Sequence, residues 1–123
     1  MSRVGRAFAV AGALALLTAG GAGAADGTTP RVLSGPGAFA AGYATPVVVV
    51  GAGGELEYTN FDVTLHDVIA VDEDEAGTPL FASAKIGIGQ TAGVVGVELL
   101  EPGSYEFYCS LHEATMQGTL VVA

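Results

Sequence analysis

The sequence predicts an all-β fold, a two-sheet Greek-key β-sandwich of about seven to eight strands behind a leading export segment. Three observations carry this expectation. Runs rich in valine, threonine and aromatic residues are short, and Gly and Pro separate them. Beyond the leading segment the apolar residues show no helical periodicity. Seven such runs fall within roughly 90 residues, which is the strand density of a sandwich.

The leading segment has its own physics. Arg3 and Arg6 make a basic start, residues 7–19 are apolar and uncharged, and Ala22-Gly23-Ala24 offers small side chains to a signal peptidase. The apolar run is short for a permanent membrane span. Residues 1–25 are therefore expected to be a cleaved signal peptide, with membrane attachment only if the segment stays uncut. Residues 26–123 are then expected to form one domain around one core.

Candidate strands follow at 31–34, 46–50, 55–59, 62–71, 91–100, 104–109 and 119–122. Gly35-Pro36-Gly37 closes the first, the glycines from Gly51 to Gly54 close the second, and Pro102-Gly103 opens the sixth. Residues 47–50 are all valine and read as a buried strand. In the fourth run Val63, Leu65, Ile69 and Val71 share a face, but Asp67 falls on it too. An unpaired carboxylate there is costly, so a bulge or loop near His66, or a hydrogen-bonded role for Asp67, is expected. In the sixth run Tyr105, Phe107 and Cys109 share one face and Ser104, Glu106 and Tyr108 the other, which points Cys109 inward at the strand end.

Charge and cysteine usage narrow the function. The full chain carries a net charge of −9, and without the leading segment two cations, Arg31 and Lys85, stand against all 13 acids. This excludes nucleic acid, which needs clustered Lys and Arg against its phosphates. It suits a partner with a basic docking surface, or solubility alone. An exported chain with a single cysteine makes no internal disulfide, so Cys109 must be buried, paired with another chain or bound to something.

Beyond the leading segment the chain has two histidines, one cysteine and one methionine, and three of these four lie between Cys109 and Met116. Thiolate, thioether and imidazole together form the donor set that copper prefers, trigonal from two His and one Cys with a weak axial Met. Zinc fits less well because it does not seek a thioether. A loop leaving one strand at Cys109 and entering the next after Met116 can fold Cys109, His112 and Met116 onto one point, and His66 from a distant run can close the site.

The segment Tyr105-Glu106-Phe107-Tyr108-Cys109-Ser110-Leu111-His112, followed by Met116, Gly118, Thr119 and Leu120, resembles the C-terminal signature of the cupredoxins, the plastocyanin-like branch in particular. His66-Asp67-Val68 is similar to that family's His-Asn-Val. The resemblance implies one type 1 copper ion held by His66 and His112 as imidazole ligands, Cys109 as thiolate and Met116 as axial ligand. It implies a secreted or periplasmic monomer, not an enzyme, that shuttles single electrons between larger redox proteins. It also places Tyr108 and the acidic run Asp72, Glu73, Asp74 and Glu75 where plastocyanins receive partners. Asp67 departs from the family's Asn; it can accept a hydrogen bond from Ser110, and its charge favours Cu(II).

Three rival functions remain at this level, one of them a metal-free adhesion or structural sandwich. A copper-binding or copper-delivery protein without an electron-transfer role would use the same ligands. A Cys–His enzyme would need a third orienting group, and His112 three residues after Cys109 suits shared metal ligation better.

Overall fold

The computed structural model describes residues 28–123, so the expected signal segment lies outside the described residues. Among the described residues no helix is long and apolar enough to cross a membrane.

Among the described residues seven strands form two sheets. In the first, β1 (Arg31–Ser34) runs parallel to β3 (Glu57–Asn60), and β5 (Gln90–Gly93) pairs antiparallel with the other edge of β3. In the second, β2 (Val47–Val50) runs parallel to β7 (Gln117–Val122), β6 (Gly103–Tyr108) forms a hairpin with β7, and β4 (Ile69–Ala70) pairs antiparallel with β6. Every step from β1 to β6 crosses from one sheet to the other. The two-sheet sandwich expected from the sequence is the fold.

Alternation within the strands makes the core. Val32, Val50, Tyr58, Phe81, Phe107 and Leu120 are each at most 2 % exposed. Burying a side chain such as Phe81 or Phe107 contributes about 1.5–3 kcal/mol. In β6 the expected alternation holds: Phe107 and Cys109 are buried, Ser104 and Glu106 exposed.

Four local expectations are corrected. The valine run is half buried, with Val48 and Val50 inside and Val47 (61 % exposed) and Val49 (56 %) outside, because β2 is an edge strand whose outer face no other layer covers. The run 62–71 keeps only Ile69 and Ala70 in a strand, and its inward side carries Asp62, His66, Val68 and Ala70 while Val63, Leu65 and Val71 face solvent. Polar residues turn inward there because each finds a partner inside, as described below. The run 91–100 ends its strand at Gly93; Gly96, at φ +107°, turns the chain into a 3-10 helix over Val97–Leu99. A Cβ at Gly96 would stand 2.3 Å from the Leu80 carbonyl oxygen. Finally, one short helix, α1 (Ala38–Ala41), interrupts the β pattern; four residues are too few to register as periodicity.

Gly118 lies under the Phe107 ring, its register partner, where an added Cβ would come within 2.4 Å of the ring and 2.9 Å of the Pro46 carbonyl. Gly118→Ala is expected to destabilise the fold by about 1–3 kcal/mol through overpacking. Urea denaturation of the metal-free protein measures this, and an unchanged midpoint would show that the ring has room to move.

Candidate metal centre

The chain between β6 and β7 is a closed loop held by its own backbone. Cys109 N–H donates to the Met116 carbonyl (3.0 Å), His112 N–H to the Cys109 carbonyl (3.1 Å), and Met116 N–H to the His112 carbonyl (2.9 Å). The first of these bonds extends the β6–β7 ladder by one pair, so Cys109 sits at the last rigid position of the strand. His66 comes from the irregular stretch between β3 and β4. A two-way backbone bridge to Ile86 holds it, with N···O distances of 3.2 and 3.0 Å.

These supports bring three donors together. Cys109 Sγ lies 3.8 Å from His66 Nδ1 and 3.7 Å from His112 Nδ1, and the three donor atoms all fall within 4.8 Å of one another. A first-row metal with nitrogen at about 2.0 Å and sulfur at about 2.3 Å, in trigonal arrangement, separates N from S by about 3.7 Å. The observed spacing therefore fits a metal between the donors. His66, Cys109 and Met116 are buried completely, and His112 is the donor that reaches toward the surface. Met116 belongs to the loop through its backbone bonds to Cys109 and His112.

The electrostatics agree. Burial pushes the Cys109 thiol up from its ordinary pKa, and the backbone N–H groups of Asp67 and Leu111 pull it partly back. A buried thiol of this kind ionises when a cation compensates its charge, which metal coordination does. The same upward push argues against a free nucleophile.

Two carboxylates buttress the centre. Asp67, 1 % exposed, accepts hydrogen bonds from Ser110 N–H (2.8 Å) and Ser110 Oγ–H (2.6 Å), and Lys85 Nζ stands 3.9 Å from it. The irregular backbone and the hydrogen-bonded Asp67 expected from the sequence are thus both present. Asp62 was not singled out by sequence reasoning. Its Oδ2 lies 2.7 Å from His66 Nε2, and its Oδ1 accepts the Gly37 N–H at 3.0 Å. The hydrogen bond with His66, then that from Gly37, holds the Asp62 carboxyl below the usual carboxylate range. The available signal was spacing: Asp62 stands four residues before His66, on the same side of an alternating run.

A family model for copper-binding proteins, the plastocyanin/azurin family, matches residues 34–123. The chain belongs to this family. Among solved structures, a purple cupredoxin from Nitrosopumilus maritimus superposes with a TM-score of 0.61 at 23 % identity, covering 76 % of this chain and 98 % of that one. Amicyanin from Paracoccus versutus superposes at 0.60 and 23 %, covering 77 % of this chain and 81 % of that one. A copper-containing nitrite reductase from Thermus scotoductus gives 0.59 and 24 %, covering 78 % of this chain but 22 % of that one, so the cupredoxin fold also occurs inside longer chains. At these identities the structural likeness speaks for the fold, and the family match carries the copper. A comparison with curated proteins finds no match. In this cupredoxin the His66, Cys109 and His112 cluster can hold one copper ion.

Asp67→Ala is expected to destabilise the metal-free cupredoxin by about 2–3 kcal/mol, because two buried hydrogen bonds to a carboxylate are lost. Asp67→Asn should restore most of it, since the amide can accept from Ser110 N–H and donate to Ser110 Oγ. Thermal denaturation of both variants checks this; an Asp67→Ala variant as stable as the wild type would show that the bonds to Ser110 contribute nothing.

Proposed function

We propose that the protein is a type 1 (blue) copper electron carrier that works outside the cytoplasm, with His66, Cys109 and His112 as the strong ligands and Met116 as the axial one. The observation that carries the reading is the convergence of two imidazole nitrogens on one thiol sulfur at 3.7 and 3.8 Å. When bound, copper supplies the Cu(II)/Cu(I) couple. The chain supplies rigidity: a strand end, a self-closed loop and a bridged His66 hold the donors at these positions. Donors that need not rearrange favour fast one-electron transfer.

His112 and Tyr108 give two routes to the surface. His112 is partly exposed, and Phe39 tilts over it at a ring-centroid distance of 6.3 Å. Tyr108, covalently next to Cys109, lines an open groove of about 410 Å³ together with Val71, Glu106, Glu113 and Gln117. Asp72, Glu73, Asp74 and Glu75 are all exposed in the loop that leaves β4 beside it. This acidity supports docking of a redox protein with a basic surface. A lone thiol outside the cytosol is also shielded from oxidation by coordination and burial.

The copper-loaded protein is expected to be intensely coloured when oxidised, and Cys109→Ser should abolish the colour in visible absorption; a colourless oxidised wild type would refute the ligand assignment. Exchange against a copper chelator separates carrier from delivery protein. Slow exchange with reversible voltammetry supports the carrier, and ready loss of Cu(I) supports delivery. Met116→Leu should keep the metal and raise the reduction potential, by about 59 mV for each tenfold gain in preference for Cu(I). An unmoved potential would remove Met116 from the axial role.

A further inference from the structure

We infer that Asp62 is a positioning residue of the metal centre, clamping His66 in the tautomer that leaves Nδ1 free and, through its charge, biasing bound copper toward Cu(II). The second half rests on the copper reading above; the first does not.

The geometry is specific. His66 is wholly buried and Asp62 3 % exposed, so water does not replace their 2.7 Å contact. A carboxylate can only accept, so Nε2–H donates to it, which leaves Nδ1 with its lone pair, and Nδ1 is the atom that faces Cys109 Sγ. A histidine that donates its far N–H to a carboxylate has a fixed ring orientation and is a stronger donor at the near nitrogen. Stronger donation together with a buried negative charge stabilises the more highly charged metal ion.

Asp62 is itself held. Its N–H donates to Asn60 Oδ1 (2.8 Å), and Asn60 Nδ2 donates to the carbonyls of Thr64 and Ile86, both at 2.9 Å. Ile86 is also the bridge partner of His66, so Asn60 and His66 share one anchor. The second carboxylate oxygen takes the N–H of Gly37, the residue that opens α1. That helix carries Phe39, whose carbonyl accepts from Thr115 Oγ and whose ring packs toward His112. One side chain therefore reaches the first histidine directly and the second through α1. Both oxygens are in use, which is why an acid suits the position and an amide, with one acceptor, serves it only in part.

The test has two arms. In isotope-labelled, metal-free protein, long-range proton–nitrogen correlation is expected to show His66 protonated at Nε2 alone. Protonation at Nδ1, alone or with Nε2, overturns the clamp. In copper-loaded protein, Asp62→Asn is expected to shift the Cu(I) to Cu(II) affinity ratio toward Cu(I) about tenfold, which is about 59 mV upward for a one-electron couple. Glu98→Gln, at an exposed carboxylate, should leave the potential unmoved. A less stable Asp62→Asn with the wild-type potential would mean that the residue only supports the fold, and overturns the bias. If Asp62→Asn does not fold, Asp62→Glu, which keeps the charge, should retain the wild-type potential, and a tenfold shift toward Cu(I) there overturns the bias instead. A wild type that takes up no copper defeats the electron-carrier reading, while the tautomer result still decides the clamp.

Discussion

The bond pair between Asp67 and Ser110 is the constraint on which the centre depends. It ties two segments 43 residues apart, one carrying His66 and the other carrying Cys109 and His112. Without such a tie the loop after β6 would be an ordinary hairpin connection, free to move relative to the irregular stretch before β4. Asp67 is secured from behind as well, because the Tyr43 hydroxyl donates to its backbone carbonyl at 2.5 Å and the Tyr43 ring packs edge-on against Phe107, 5.1 Å between centroids. The donor geometry is thus continuous with the packed core, and burial pushes the Tyr43 hydroxyl well above its ordinary pKa, keeping it a neutral donor.

The sandwich contributes in a second way. The β6–β7 hairpin lies in the interior of the four-stranded sheet, flanked by β2 and β4, and β4 pairs with Phe107 and Tyr108, the β6 residues that lead into the loop. The edges of that sheet are short or half exposed. Rigid backbone thus underlies Cys109, whereas His66 is held by a single bridge and a web of side-chain bonds. Two kinds of support meet at one point.

Charge is arranged at two depths. Outside, the acids of the loop after β4 are solvated, with Asp74 Oδ1 accepting from Ala76 and Thr78 N–H at 2.9 and 3.0 Å to hold the turn. Inside, Asp62 and Asp67 are each committed to specific donors. The outer charges are weakened by salt, while the inner ones act at low dielectric beside the donor cluster.

Much of this was readable from the chain itself. The sandwich, the inward-facing Cys109, the meeting of His66, Cys109 and His112 and the bond from Ser110 to Asp67 all follow from alternation, donor chemistry and the resemblance carried by residues 105–120. These rest on local periodicity and residue type, which do not depend on knowing the neighbours. Which side of the run 62–71 faces inward was misread, because apolar Val63, Leu65 and Val71 suggested the core while polar Asp62 and His66 took it. The role of Asp62, the short helix α1 and the half-buried β2 were equally out of reach. A buried acid is tolerable only where a distant donor meets it, and an edge strand is an edge only once the sheet order exists; both are properties of chain segments brought together by folding.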